Sequence, residues 1–221
     1  MLLVGAQGKM GQAIASEIEK DPSLTIAAGL LQGDSIESVI GKGDVVIDFS
    51  EATATEEVCR ICAQHRKPLV LGTTGQNEKQ KKAVTDAAME IPLVFAANFS
   101  LGVNALFALT RRATDLLGEN FDLDVIEMHH RTKKDAPSGT AKRLLEILSE
   151  SGRGDEISAQ SIRAGDIVGE HTVIFSGPGE RLELTHRATS RATFAAGALR
   201  AARWVAAQPA GLYSMEDVLG L

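Results

Sequence analysis

The sequence predicts an α/β fold in two parts. The first is an N-terminal doubly wound parallel sheet with helices; the second is a C-terminal α+β half with a mixed open sheet. Three observations carry this prediction. A buried-type strand, Met1-Leu-Leu-Val4, runs straight into the glycine-rich turn Gly5-Ala-Gln-Gly-Lys-Met-Gly11 and then into a helical pattern over 12–20. Short apolar runs then alternate with helical patterns as far as Ser100. Beyond an apolar helix expected over 103–117 that rhythm stops, and strand-length runs follow one another.

In order along the chain, the helix over 12–20 turns Ile14 and Ile18 inward, four residues apart on one face. A second strand is expected over 24–31 and a third over 43–50, the latter an apolar run ending in Asp48, Phe49 and Ser50. A helix over 56–65, a strand from Pro68 into the turn Gly72-Thr-Thr-Gly75, a helix over 78–89 and a strand from Pro92 to Ser100 complete the alternation. Three polar strand ends, at 48–50, 72–74 and 98–100, thus fall on the same side as the glycine turn. In an open parallel sheet that carboxyl edge lines the ligand crevice. After residue 117 come a strand over 123–128, a loop, a helix over 139–150, and strands over 158–163, 171–176 and 181–188. The Ala-rich helix over 194–206 is too apolar to stand alone and is expected to return to the first half, with 212–221 as a closing segment. The expected division is 1–100, completed by 194–221, and 101–193.

Glycines between strand and helix let a backbone approach a pyrophosphate held at the helix N-terminus. A Rossmann-like dinucleotide-binding domain is therefore the expectation for 1–100. The spacing Gly-x-x-Gly-x-x-Gly differs by one residue from the usual fingerprint, and a tight turn with close helix packing is the plainer alternative. At the end of the second strand, where an acid normally holds the adenosine ribose, the chain reads Leu31-Gln32-Gly33-Asp34. Gln32 or Asp34 would have to take that place, and the choice between NADH and NADPH stays open.

With 23 Lys and Arg against 29 Asp and Glu, the net charge of −6 argues against general nucleic-acid binding. No apolar run is long enough to span a bilayer and no charged-then-apolar leader is expected, so the reading is a cytoplasmic protein. Cys59 and Cys62, the two cysteines, lie in a helical pattern and read as core packing rather than as a redox pair.

The segment richest in chemistry runs Glu127-Met-His-His-Arg-Thr-Lys-Lys-Asp-Ala-Pro-Ser-Gly-Thr-Ala141. His129 and His130 have ordinary pKa values near about 6.5, so either can give or take a proton at cellular pH. Lys133 can hold a carboxylate or deliver a proton. Pro137 fixes a turn, Ser138 can cap the following helix, and the N–H groups of Gly139 and Thr140 would face an incoming anion. A solvated basic loop is the bland alternative. A metal site is the weaker one, because adjacent histidines seldom converge on one ion and no Cys or carboxylate cluster joins them.

Taken with Val4-Gly-Ala-Gln-Gly-Lys-Met-Gly11, Asp48-Phe-Ser50, Gly72-Thr-Thr-Gly75, Phe95-Ala-Ala-Asn-Phe-Ser100 and Arg163-Ala-Gly-Asp-Ile-Val-Gly-Glu-His171, this segment resembles the 4-hydroxy-tetrahydrodipicolinate reductase (dihydrodipicolinate reductase) family over nearly the whole chain. The resemblance implies NADH- or NADPH-dependent reduction of a cyclic dicarboxylate in lysine and diaminopimelate biosynthesis. It implies cofactor contacts from Gly5, Ala6, Gln7, Gly8, Lys9, Met10, Gly72, Thr73, Thr74, Ala96, Ala97, Asn98 and Phe99. It further implies a proton-handling pair, His129 and Lys133, substrate contacts from His130, Gly139 and Thr140, no metal, and a homotetramer assembled through the second domain's sheet. Leu31-Gln32 stands where the family commonly places an acid and a base, Glu51 where some members carry a cation, and the stretch from Gln32 to Gly43 is short. A dinucleotide-binding sensor is the competing class.

Overall fold

A computed structural model describes residues 1–153 and 157–221. The chain divides into two compact units, Met1–Ser100 with Ala192–Gly220, and Leu101–Arg191 with Leu221. The first opens with β1 (Leu2–Val4), α1 (Lys9–Ile18), β2 (Ala28–Leu30), β3 (Val46–Asp48), α2 (Thr55–Gln64), β4 (Leu69–Leu71), α3 (Glu78–Ala88) and β5 (Pro92–Phe95). The second holds α4 (Leu101–Leu117), β6 (Asp122–His129), α5 (Gly139–Leu148), β7 (Ser158–Arg163), β8 (Gly169–Gly177) and β9 (Glu180–Ala188). The chain then returns to the first unit through α6 (Ala192–Val205), β10 (Gly211–Tyr213) and α7 (Met215–Leu219). Among the described residues no helix is long and apolar enough to cross a membrane.

The first unit's sheet has the order β10-β5-β4-β3-β1-β2, and each pairing is parallel. Its central strands are buried on both faces, which is why they read as unbroken apolar runs. Leu2, Val46, Leu69 and Leu93 face a cluster containing Val58, Ile61, Cys62, Val84 and Ala88 from α2 and α3. By alternation Leu3, Ile47, Val70 and Val94, all close to 0% exposed, face the other side, where α1 and α6 pack together. Helix α6 comes close enough that a Cβ on Gly197 would lie 1.7 Å from the Phe99 carbonyl oxygen. Cys59 and Cys62 are buried and unpaired, and burial pushes the Cys59 thiol up to about 12 and the Cys62 thiol higher still, so both pack as inert apolar groups.

Two strands are shorter than the sequence pattern suggests, and the reason is local. Before β2, the Asp21 carboxylate accepts from Ser23 N–H (3.0 Å) and Ser23 Oγ (2.6 Å), which folds 21–24 into a turn. The residues flanking β3 are joined to the sheet by single bonds, Leu2 N–H to Val45 O (2.9 Å) and Phe49 N–H to Val4 O (3.1 Å). Helix α1 starts at Lys9, inside the glycine motif, with Gly8 as its N-cap. A capping box of Asn77 and Gln80 starts α3, and one of Ser214 and Asp217 starts α7. Strand β10 escapes the sequence reading because three residues after a proline are too few to show an alternating period.

The second unit's sheet has the order β7-β6-β8-β9, with β6 and β7 parallel and the other pairings antiparallel, so it is mixed as expected. Strand β6 alternates strictly, with Leu123, Val125, Glu127 and His129 on one face. That face is covered by Val103, Leu106 and Phe107 of α4 and by Ala141, Leu144, Ile147 and Leu148 of α5. On the other face Ile126, Met128 and Ile174 are half-buried, and Ile162 is exposed.

Candidate active site

In the first unit the strand order reverses between β1, β2 and β3, since the chain leaves β1 for β2 on one side and returns to β3 on the other. The crevice outside the carboxyl ends of β1 and β3 is where such sheets bind ligands. The turn Gly5–Gly8 occupies it. Gly5 has φ +80, and a Cβ there would lie 2.7 Å from the Phe49 carbonyl oxygen. A Cβ on Gly11 would lie 2.3 Å from the Gly5 carbonyl oxygen, so glycine lets the first turn of α1 press against the loop and aim its N-terminus into the crevice.

A cavity of about 580 Å³ opens there. Gly5, Gln7 and Gly8 line it from the turn, Leu31, Gln32, Gly33, Asp34 and Ser35 from the loop after β2, and Phe49, Ser50, Glu51 and Glu57 from the far wall. Ala6, Lys9 and Met10 belong to the same turn and helix start without lining the cavity. Asp34 is tied into its loop, its Oδ2 accepting from Leu31 N–H at 2.8 Å, which holds the carboxylate at the end of β2. Among the described lining residues there are three carboxylates, Asp34, Glu51 and Glu57, and no Lys or Arg.

The two other strand ends gather around Phe49 rather than in the cavity lining. A Cβ on Gly72 would lie 2.2 Å from the Phe49 ring, so only glycine admits that ring there. Buried Phe99 meets Phe49 edge to face with ring centres 5.3 Å apart. Thr73 is buried, while Thr74 and Ala97 are exposed and Ala96 and Asn98 half-buried. Asn98 Oδ1 accepts from Ser100 N–H at 2.8 Å and shapes that turn. Asp48, fully buried behind them, accepts from Ser50 N–H at 2.8 Å; burial raises its pKa against the pull of Ser50 and the nearby Thr73.

In the second unit His129 ends β6, buried, with Nδ1 2.5 Å from Oε2 of the fully buried Glu127. Glu127 also accepts two bonds from Arg163 of β7, Nη1 at 2.8 Å and Nη2 at 2.6 Å, and one from Ser138 N–H at 3.2 Å. Burial alone would raise its pKa, but hydrogen bonds from Arg163, Ser161 and His129 outweigh it and hold the carboxyl at about 2. Burial lowers the His129 pKa, against the pull of Glu127 and with the push of Lys133 and Arg163, so the resting imidazole is neutral at pH 7. The His171 ring packs edge-on to His129 with centres 5.1 Å apart, and its pKa falls to about 3, mainly through burial.

His171 Nε2 lies 3.0 Å from Ser138 Oγ, which accepts from Ala141 N–H at 3.2 Å and so caps α5. In the first turn of that helix Gly139 is exposed and Thr140 half-buried, and among the described residues outside that turn no heavy atom lies within 4 Å of where a Cβ on Gly139 would be. Lys133, 21% exposed, pairs with the Asp135 carboxylate at 2.8 Å. His130 is half-buried, its Nδ1 2.8 Å from Thr132 Oγ1. The five residues read as proton-handling or substrate-binding, His129, His130, Lys133, Gly139 and Thr140, thus surround one loop. Sequence reading assigned no role to Glu127, Arg163 or His171. The signal for Glu127 was a charged residue in phase with Leu123, Val125 and His129 on the inward face of β6, since a buried carboxylate requires partners. Among the described residues no group of three or more His, Cys, Asp or Glu is placed to hold a metal ion.

Comparison with known proteins agrees at both ends of the chain. The family model described as dihydrodipicolinate reductase, N-terminus, matches residues 1–99, and that described as dihydrodipicolinate reductase, C-terminus, matches residues 102–219. A 4-hydroxy-tetrahydrodipicolinate reductase of Akkermansia muciniphila is 48% identical over 240 residues, covering 100% of this chain and 98% of that protein. The alignment is longer than the 221 residues here, so that relative carries residues this chain lacks. The corresponding reductase of Desulfotalea psychrophila is 41% identical, with 100% and 98% covered. Among solved structures, a dipicolinate-bound dihydrodipicolinate reductase from Paenisporosarcina sp. TG-14 superposes with a TM-score of 0.84 at 25% identity, covering 96% of each chain. A probable dehydrogenase from Thermotoga maritima, at 10% identity and a TM-score of 0.67 over 98% of this chain and 91% of that one, shares the fold. The chain belongs to the dihydrodipicolinate reductase family.

Proposed function

We propose that this protein reduces 4-hydroxy-tetrahydrodipicolinate to tetrahydrodipicolinate, a step of lysine and diaminopimelate biosynthesis, with a reduced nicotinamide dinucleotide as co-substrate. The observation that carries this reading is the loop after β6. It combines a buried imidazole held by a carboxylate, a lysine beside it and a Ser138-capped helix start, in a chain whose other unit has a glycine-lined crevice.

The crevice suits a dinucleotide, because Gly5 and Gly8 leave backbone exposed where a pyrophosphate needs N–H groups and α1 starts there. When bound, the cofactor supplies the hydride. The substrate loses its 4-hydroxyl, so the departing oxygen and the charge that builds on the ring both require protons to be handled nearby. In this reading His129 and Lys133 take that role, and a cation beside developing negative charge lowers the barrier. The two substrate carboxylates suit His130, Lys133 and the first turn of α5 at Gly139 and Thr140.

Within this reading the cofactor is NADH rather than NADPH. A 2′-phosphate is normally held by Arg or Lys, whereas the described cavity lining offers Asp34, Glu51 and Glu57. The protein acts as a homotetramer through the open face of the second unit's sheet, and a diffusible reduced cofactor suits a cytoplasmic enzyme.

The test is NADH oxidation with substrate generated in situ. Turnover is expected, and His129→Ala or Lys133→Ala should each lower kcat by roughly 10²-fold, a typical general-acid contribution. Absence of turnover in the parent protein, or normal turnover in the double variant, would remove the assignment.

A further inference from the structure

Glu127 and His129 lie two residues apart on one strand, so their side chains share the inward face of β6. Among the described residues the Glu127 carboxylate meets donors: both terminal Arg163 nitrogens, the Ser138 N–H, the Ser161 hydroxyl and the ring of His129. A carboxylate ionised in this way has no proton to offer, so the hydrogen between it and His129 belongs to the imidazole. We propose that Glu127, clamped by Arg163, is the positioning residue that keeps the His129 proton on Nδ1 and so makes Nε2 the atom that exchanges protons with substrate. This rests on the reductase reading for its functional part, while the proton's position on the ring does not.

The surroundings of Nε2 agree with that division of labour. A Cβ on Gly169 of β8 would lie 3.0 Å from Nε2, so a residue without a side chain is what lets that edge of the ring fit beside β8. The titratable and charged groups facing the imidazole are Glu127 of β6, Arg163 of β7, His171 of β8 and Lys133 of the loop. Glu127 is the one anion among these four. When Nε2 takes up a proton the ring becomes an imidazolium, and the adjacent carboxylate stabilises it. When Nε2 gives that proton up, the Nδ1 hydrogen stays where it was, and the ring returns to the same tautomer for the next turnover. Arg163 prevents Glu127 from turning away, because its bidentate grip fixes both carboxylate oxygens.

A bare structural brace is the competing account, since Glu127 also ties β6 to β7 and to the start of α5. Two measurements separate them. With ¹⁵N-histidine-labelled wild type at neutral pH, NMR should show His129 protonated at Nδ1 and bare at Nε2; the opposite tautomer overturns the proposal and needs no variant to fold. Steady-state kinetics of Glu127→Gln should show kcat lowered by roughly 10²-fold, KM within about threefold and NADH binding by fluorescence unchanged. The limb where activity falls as the imidazolium is lost should move to lower pH, because the carboxylate that favours the charged ring is gone. Glu127→Asp should recover part of kcat by keeping the charge. A Glu127→Gln protein that melts earlier yet keeps the wild-type kcat and pH profile makes Glu127 a brace only and overturns the proposal. Lack of turnover in wild type with the Nδ1 tautomer intact would instead remove the reductase reading and leave the Glu127 to His129 arrangement standing.

Discussion

At Gln32 the chain carries a neutral amide in the wall of the dinucleotide cavity, two residues before the carboxylate that the Leu31 N–H holds in place. An added 2′-phosphate would meet Asp34 with no described cation in the lining to balance it. Replacing Gln32 by Arg supplies that cation with a planar fork suited to phosphate. The expected result in nucleotide fluorescence titrations is NADPH affinity rising about tenfold or more for Gln32→Arg, with NADH affinity little changed, since one charge-assisted hydrogen bond contributes about 1.5–3 kcal/mol. Wild-type protein binding NADPH as tightly as NADH would show that the acidic lining does not set the preference. Legibility at this scale was uneven. His129 and Lys133 stood out because imidazole and ammonium groups next to Pro-Ser-Gly-Thr are conspicuous in any chain. Arg163 did not, since 36 residues separate it from the carboxylate it grips.

Strand β6 and helix α5 carry the chemistry, and Glu127 on β6 and His171 on the neighbouring β8 are two groups whose protonation opposes folding in acid. The folded chain keeps His171 neutral down to about 3 against an ordinary value of 6.5, and keeps Glu127 ionised down to about 2 against 4.5. In both cases the unfolded chain binds the proton more readily, so stability is full above the unfolded value and is lost as pH falls toward the folded one. His129 and His186, also lowered, act in the same sense. Urea midpoints should therefore decline below about pH 6.5 and decline faster once Glu127 joins below about 4.5. His171→Gln, which keeps a partner for Ser138, should flatten the upper part of that decline by up to about 1.4 kcal/mol per pH unit. An unchanged slope in His171→Gln would mean that His171 is not one of the groups responsible.

For the whole molecule the open face of the second sheet is the feature that asks for a partner. Met128 and Ile162 are register neighbours on β6 and β7, and Ile126 and Ile174 extend the same face, where apolar side chains remain half-buried or exposed. A sheet covered by helices on one side, with these four apolar side chains set among polar ones on the other, favours burial against a second copy. Sedimentation equilibrium should give a species of about four times the 23.4 kDa chain mass, and Met128→Lys should dissociate it by placing a charge in the buried centre. A monomeric wild type, or a tetramer indifferent to Met128→Lys, would locate assembly elsewhere.

The sequence by itself determined the α/β class, the glycine turn between β1 and α1, and the loop that holds His129 and Lys133. Each rests on a local rule: apolar period, glycine between strand and helix, or a capping serine before a helix. Only the tertiary structure decided that Glu127, Arg163 and Ser138 meet around His129, that Phe49 fills the space left by Gly72, and that Gly211–Tyr213 joins the parallel sheet. These depend on which strands lie side by side, and strand pairing brings together residues whose separation along the chain leaves no local trace.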